Sequence, residues 1–440
     1  MSNLEKKREE FRRYLETTGA VDNLTTALIK LYEQKNKPQD SVKFLRREMC
    51  SDCHDEDQYQ LLEADLEAAN RKICHLEREL LKLKGSLRKT SSEVQMALER
   101  GYEDMILAGD PEAGLRKILT RELIDNLKET KTVFKGTLLD CIQAGLEYLD
   151  SPIAFAFACD LDAYCVFSDL FNPIIEELHQ FKAENKHPAL NWDETCKITQ
   201  FDDKYVKSIE ISCIRNIAEY PFAPIMSFEN YDEIQKRLVG VVKCLCSGGL
   251  KGQFFDLENM TNEARKSFID NKILFKDDCP VLKAANVYRF WPNGRGIYVN
   301  ESKNFYIWCN QKDHFKFFVK ELSGNMRAAY ELLISGVTQV CKDFEIAHDE
   351  RLGFLTFSPS ELGNTIHMSV HMELDKLPKN QDKLDEIACN FNLNIKKTDD
   401  DGSDMLYEIT NMRCLGMCEF DTVKELSDGI VALIDAEKSM

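Results

Sequence analysis

Apolar residues in the first 34 positions recur at helical spacing in two blocks. Leu4, Phe11, Tyr14 and Leu15 form one; Val21, Leu24, Ala27, Leu28 and Leu31 form the other. Gly19 lies between them and suits the left-handed residue that closes a helix. Asn36 to Pro38 end the second block, and Val42, Phe44 and Leu45 predict a third short helix. Three such helices bury too little apolar surface to be secure alone, so this segment needs a partner. Further on the pattern narrows. Leu62, Leu66, Ala69, Ile73, Leu76, Leu80, Leu83 and Leu87 follow one another in steps of four and three, the a/d seam of a coiled coil. A helix lying on a globular core would show a wider stripe. The positions between these residues are mostly charged or polar, which favours pairing with a second copy or a related helix.

Residues 103–149 read as helical, with Phe134–Gly145 joining two helices. After about residue 200 short β-branched and aromatic runs appear: Tyr205–Ile211, Gly296–Val299, Phe305–Cys309 and Gly353–Phe357, set apart by Gly, Pro and Asn. Helical stretches are predicted at 227–246, 313–343 and 419–437. Strands and helices without a βαβ rhythm imply an α+β domain with a mostly antiparallel sheet.

Charge sharpens the division. The 440 residues carry a formal charge of −18, yet residues 1–100 hold 19 Lys and Arg against 19 Asp and Glu, so the whole deficit falls on the remainder. An extended acidic surface repels nucleic acid and anionic lipid, so neither is expected as a partner. The longest uncharged apolar stretch, Ile153–Cys159, is far too short for a membrane span. The charged N-terminus has no apolar core of a secretory signal. The 16 cysteines are therefore expected to be reduced thiols in a cytoplasmic protein.

Few motifs carry chemistry of their own. Cys50-Ser-Asp-Cys53-His54 has the form of a haem attachment site or half a zinc site. No export address accompanies it and no second ligand pair follows nearby, so no metal or haem is expected. His367 and His371 would share one strand face and are read as satisfied histidines rather than metal ligands. Cys244, Cys246, Cys414 and Cys418 are read as small core residues. Ser358 has no evident His-Asp partner and is not expected to be a nucleophile.

Two family resemblances are specific. Phe11–Leu45, followed by the leucine heptads, resembles c-Myc-binding protein. That resemblance implies association with kinase-anchoring proteins and a groove for an amphipathic helix. Leu24, Leu28 and Leu31 would line such a groove or form a dimer core; the sequence leaves both open. From about residue 100 onward the blocks at 134–151, 171–179, 220–224, 284–314, 348–365 and 369–378 resemble the phosphagen kinases, arginine kinase above all. This implies a small all-helical domain followed by an antiparallel sheet flanked by helices. The expected organisation is a docking or dimerisation module at 1–50, a coiled coil at 55–92, an all-α domain at 100–187 and a catalytic-fold domain at 200–440.

Phosphagen-kinase chemistry moves the γ-phosphoryl of Mg-ATP to a guanidino nitrogen, and the protein mainly positions substrates and neutralises charge. The resemblance implies five phosphate-facing arginines, an adenine-side histidine, two glutamates and a cysteine. This chain departs at nearly all of them. The Ser-Thr-Arg-Val-Arg strand is Ser208-Ile-Glu210-Ile-Ser212, the adenine-side histidine is Val299, and the catalytic glutamate is Lys312. Lys316 and His367 stand for two more arginines, Ser358 for the cysteine, and Asp399 opens a shortened acidic loop in place of Arg-Gly-Glu-His. The loop Ser151–Ala158, which would select the guanidino substrate, has one extra residue and lacks its tyrosine. The sequence therefore predicts a phosphagen-kinase fold without a phosphagen-kinase site, needing no cofactor. It would act as a dimerising component anchored to a cytoskeletal or flagellar axonemal protein. The alternative is a live ATP:guanidino phosphotransferase using Mg-ATP, with Lys312, Lys316, Lys396 and Lys397 supplying the charge.

Overall fold

The computed structural model describes residues 3–38, 40–49, 62, 65–66, 68–69, 72–73, 76, 79–80, 83, 89–107, 114–149, 151, 154–192, 197–245, 249–398 and 405–440. Cys50, Cys53, His54, Leu87, Cys246 and Asp399 lie outside them. Two compact units divide the chain, Met1–Leu81 and Lys82–Met440.

In the first unit, helices Asn3–Thr17, Ala20–Glu33 and Ser41–Met49 follow the expected blocks. Gly19 sits between the first two at φ 69°, a backbone that costs a residue without Cβ little. Ala27 is buried, and Lys30 is paired with Glu48 at 2.9 Å, tying the second helix to the third. Leu24 and Leu28 remain exposed, Leu31 half-buried. The described seam residues Leu62, Leu66, Ala69, Ile73, Leu76, Leu80 and Leu83 are helical and exposed.

The second unit starts with a helical layer, Ser91–Leu107, Arg121–Leu127, Leu138–Glu147 and Ser168–His179, around Leu98, Leu119, Ile142, Phe171 and Ile175. Phe134–Gly145 is not a plain connector. Thr137 closes a capping box with Asp140 and starts the helix Leu138–Glu147 within it.

An eight-stranded antiparallel sheet follows: β1 (Val206–Arg215), β2 (Gly252–Asp256), β3 (Gly296–Asn300), β4 (Phe305–Cys309), β5 (Phe315–Glu321), β8 (His367–Glu373), β9 (Leu393–Lys397) and β10 (Leu406–Asn411), in the order β2-β3-β4-β5-β1-β8-β10-β9. Two short strands, β6 (His348–Asp349) and β7 (Gly353–Phe354), pair separately. The period of two sorts the central strands. Ile209, Ile211, Cys213, Phe315, Phe317, Val319, Met368, Val370 and Met372 are buried with helices Phe228–Val242, Met326–Cys341 and Glu419–Ser439. Among their alternates, Ser208, Glu210, Ser212, Lys316, Lys320, His367, Ser369 and His371 form a polar face, while Ile214 and Phe318 are buried apolar residues.

Three expectations need correction. The helix predicted over 313–343 is β5 followed by the shorter helix Met326–Cys341; Phe315, Phe317 and Val319 alternate as a strand with one face in the core. Gly353–Phe357 yields only the two-residue strand β7. Cys244, near the C-terminus of helix Phe228–Val242, is exposed rather than a core residue, whereas Cys414 and Cys418 are buried. Among the described residues no helix is long and apolar enough to cross a membrane.

Candidate functional site

The polar face of β1, β5 and β8 carries most of the positions singled out in the sequence. Cross-strand partners share a face, and Ser208, Glu210 and Ser212 of β1 stand opposite His371, Ser369 and His367 of β8. On the other side Glu210 faces Lys320 of β5, and Ile214 faces Lys316.

The polar side chains on this face are largely engaged within the protein. Ser208 Oγ shares a hydrogen bond of 3.2 Å with His371 Nδ1, and Ser212 Oγ donates to the His367 carbonyl at 3.2 Å. Lys320 Nζ lies 3.4 Å from the Glu210 carboxylate, and Ser369 Oγ donates to Glu408 at 2.7 Å. Lys316 Nζ sits 5.1 Å from the Trp308 ring centroid, within cation–π range. Val299 of β3 packs among Leu257, Phe275, Ile297, Tyr306 and Phe318, as an apolar core residue.

Lys312 stands in the turn between β4 and β5, where Asn310 takes φ 56°. Asn is among the residues that visit this left-handed region; here its amide is held at long range, donating to the Tyr231 and Gly294 carbonyls at 3.0 and 2.7 Å. Asp313 Oδ1 accepts from Asn216 Nδ2 at 2.6 Å and from the Phe357 N–H at 2.7 Å. His314 Nδ1 accepts from the Ile217 N–H at 2.9 Å, so its proton belongs on Nε2, 3.0 Å from the Pro221 carbonyl. Asn310 thus ties the turn to Tyr231 and Gly294, while Asp313 and His314 tie it to Asn216 and Ile217, just after β1, and Asp313 also to Phe357, just before Ser358.

Held in this way, the Lys312 ammonium meets Glu361. Nζ donates to Oε1 at 2.8 Å and lies 2.7 Å from Oε2, with the two side chains only 25% and 17% exposed. The pair sets the local electrostatics. Burial pulls the Lys312 pKa down, but Glu361 and Asp313 more than reverse this and leave it raised. Burial pushes the Glu361 carboxyl up, while Lys312, then His367 and Lys316, bring it below the usual range. Asp313 is raised to about 6 by burial and by the neighbouring Glu361 charge. Burial, opposed by Glu361 and aided by Lys316 and Lys312, takes His367 down to about 4. Burial and the Lys312 charge likewise lower Lys316.

The sequence did not single out Glu361. It lies in the short 3₁₀ turn Pro359–Glu361, 49 residues beyond Lys312, and only the fold joins the two. The signal that could have found it is an acid three residues after Ser358, within the block at 348–365. Ser358 Oγ bonds Ser360 Oγ at 2.8 Å and, among the described residues, bonds no histidine. His367 and His371 share a face as expected; no group of three or more metal-ligating side chains gathers among the described residues.

The arrangement is suited to neutralising itself. Two acids, Glu361 and Glu210, each face a lysine, Lys312 and Lys320. Asp313 is occupied as a structural acceptor.

Comparison with known proteins places this geometry. Residues 233–440 match the model of the ATP:guanido phosphotransferase C-terminal catalytic domain, residues 106–176 its N-terminal domain, and residues 5–86 the c-Myc-binding protein model. Arginine kinase of Plodia interpunctella is 41% identical over 349 residues, covering 78% of this chain and 98% of that protein. Arginine kinase 1 of Drosophila melanogaster is 42% identical over 350 residues, with the same coverage. Among solved structures, the duplicated taurocyamine kinase from Schistosoma mansoni with bound transition-state analogue components superposes with a TM-score of 0.72 at 30% identity. It covers 78% of this chain, which spans 48% of that duplicated protein. Lombricine kinase superposes with a TM-score of 0.70 at 29% identity, covering 74% of this chain and 92% of its own.

Proposed function

Because the chain belongs to the ATP:guanido phosphotransferase family, with the family's helical domain and antiparallel sheet, we propose that it keeps the fold and has given up phosphoryl transfer. In this reading it is a dimerising structural or docking component, held at a cytoskeletal or axonemal site by its N-terminal module.

One observation carries the reading: Lys312 is bound to Glu361 where the family resemblance calls for a catalytic carboxylate. A guanidinium brought there meets a cation already paired with its own acid. The phosphate side is equally altered. Glu210 is an acid bonded to Lys320, and Ser212 spends its hydroxyl on a strand carbonyl. Each lost charge-assisted phosphate contact costs about 1.5–3 kcal/mol, and each lost transition-state donor costs ~10²–10³ in rate. Several such losses together remove both affinity and turnover. The exposed leucine seam and the small helical module give the protein a use for its shape.

Turnover assays with Mg-ATP and arginine, taurocyamine or lombricine are expected to show no phosphorylated guanidine. Turnover that disappears in Lys316→Ala would establish the live phosphotransferase instead. For anchoring, Ile73→Asp with Leu80→Asp is expected to release the protein from an insoluble cytoskeletal fraction. Retention of the variant, or full extraction of the wild type by mild detergent, would contradict that part.

A further inference from the structure

The heptad seam fixes more than the existence of a partner. Resting on the dimerising-module reading above, we infer that the partner is a second copy of this chain, parallel and in register.

Leu62, Leu66, Ile73, Leu76 and Leu80 are helical and 50–62% exposed, so one apolar row awaits cover. The steps of four and three put Leu66, Ile73, Leu80 and Leu87 at a positions, and Leu62, Ala69, Leu76 and Leu83 at d. A β-branched residue at a followed by leucine at d, as in Ile73 and Leu76, favours two strands over three or four.

The flanking charges choose the occupant. The g positions are then Asp65, Lys72 and Glu79, and the e positions are Glu63, Asn70, Glu77 and Lys84. Glu63, Asn70, Glu77 and Lys84 lie outside the described residues and enter through their heptad positions in the sequence. In a parallel, in-register pair each g residue faces the e residue five positions on in the partner. Lys72 then meets Glu77 of the second copy, Glu79 meets Lys84, and Asp65 meets Asn70. Every flanking pair is complementary or neutral, none is repulsive, and symmetry repeats each one on the far side. A chain whose own charges satisfy one another in this way needs no foreign helix to supply them. The parallel arrangement also brings the two copies of the three-helix module to the same end of the seam.

Charge reversal tests this on the full-length protein. Lys72→Glu and Glu77→Lys, each alone, should weaken the dimer about tenfold in sedimentation equilibrium by turning attraction into repulsion at two symmetric pairs. Mixed together they should form a heterodimer of near wild-type affinity, a recovery that misfolded variants would not give. Carbodiimide cross-linking of a mixed ¹⁴N/¹⁵N dimer should join Lys72 to Glu77 and Glu79 to Lys84 between copies. A monomeric wild type, absence of recovery on mixing, or inter-copy links joining Glu63 to Lys84 as in an antiparallel pair would overturn the inference. None of these outcomes bears on nucleotide binding, so the dismantled site is judged separately.

Discussion

At the scale of single residues, Lys312 and Glu361 form a sheltered ion pair. Glu361→Gln removes the acid that holds a sheltered lysine and should cost about 1.5–3 kcal/mol in chemical denaturation. Lys312→Met in the same background should recover most of that loss, since an apolar residue needs no counter-charge. Equal loss in single and double variants would show that the pair is not coupled. His314 offers a pH test. Burial holds its pKa down at about 4, against about 6.5 in an unfolded chain. Its folded-state pKa is depressed, so the unfolded chain binds the proton first. Its contribution is present above about 6.5 and is lost as the pH falls toward 4, on the order of 3 kcal/mol in all. The stability gap between wild type and His314→Gln should therefore close over that interval. A constant gap would contradict the neutral, doubly hydrogen-bonded imidazole. The sequence marks Lys312, Glu210, Ser212 and Val299 as departures from what the resemblance implies. Their partners were not legible there, because Glu361 and Lys320 reach them only through folding.

Among the elements, the patterns that read well have one period. The helices Asn3–Thr17 and Ala20–Glu33 and the strand Phe305–Cys309 all appear where the apolar spacing put them. The segment Phe315–Glu321 did not read well, because an aromatic-rich run leading into a long helix satisfies both templates over a few residues. Burial of Phe315 and Phe317 against β1 and helix Met326–Cys341 makes it a strand. Thr137 is similarly hidden within a run that reads as a connector. Its side chain accepts from the Asp140 N–H while Asp140 accepts in turn from the Thr137 N–H. Thr137→Ala should cost about 1 kcal/mol and speed amide exchange in the first turn of Leu138–Glu147. Unchanged protection there would show that packing, not the cap, starts this helix.

For the molecule as a whole, the family's scaffold is present, and the function proposed above lies in its shape. The fold was legible because long blocks resemble the family in the right order. Turn and core residues such as Asn310, Asp313 and His314 lie within those blocks, and they tie the turn to helix Phe228–Val242 and to the segment just after β1. The state of the site was legible only as a set of departures; their mutual neutralisation depends on pairing in three dimensions. The most direct test is isothermal titration of the full-length protein with Mg-ATP. The proposed function predicts no heat of binding up to millimolar nucleotide: the positions that the resemblance implies would face phosphate hold Glu210 and Ser212, each engaged within the protein, and Lys316 lies against Trp308. Saturable binding in the micromolar range would contradict the account.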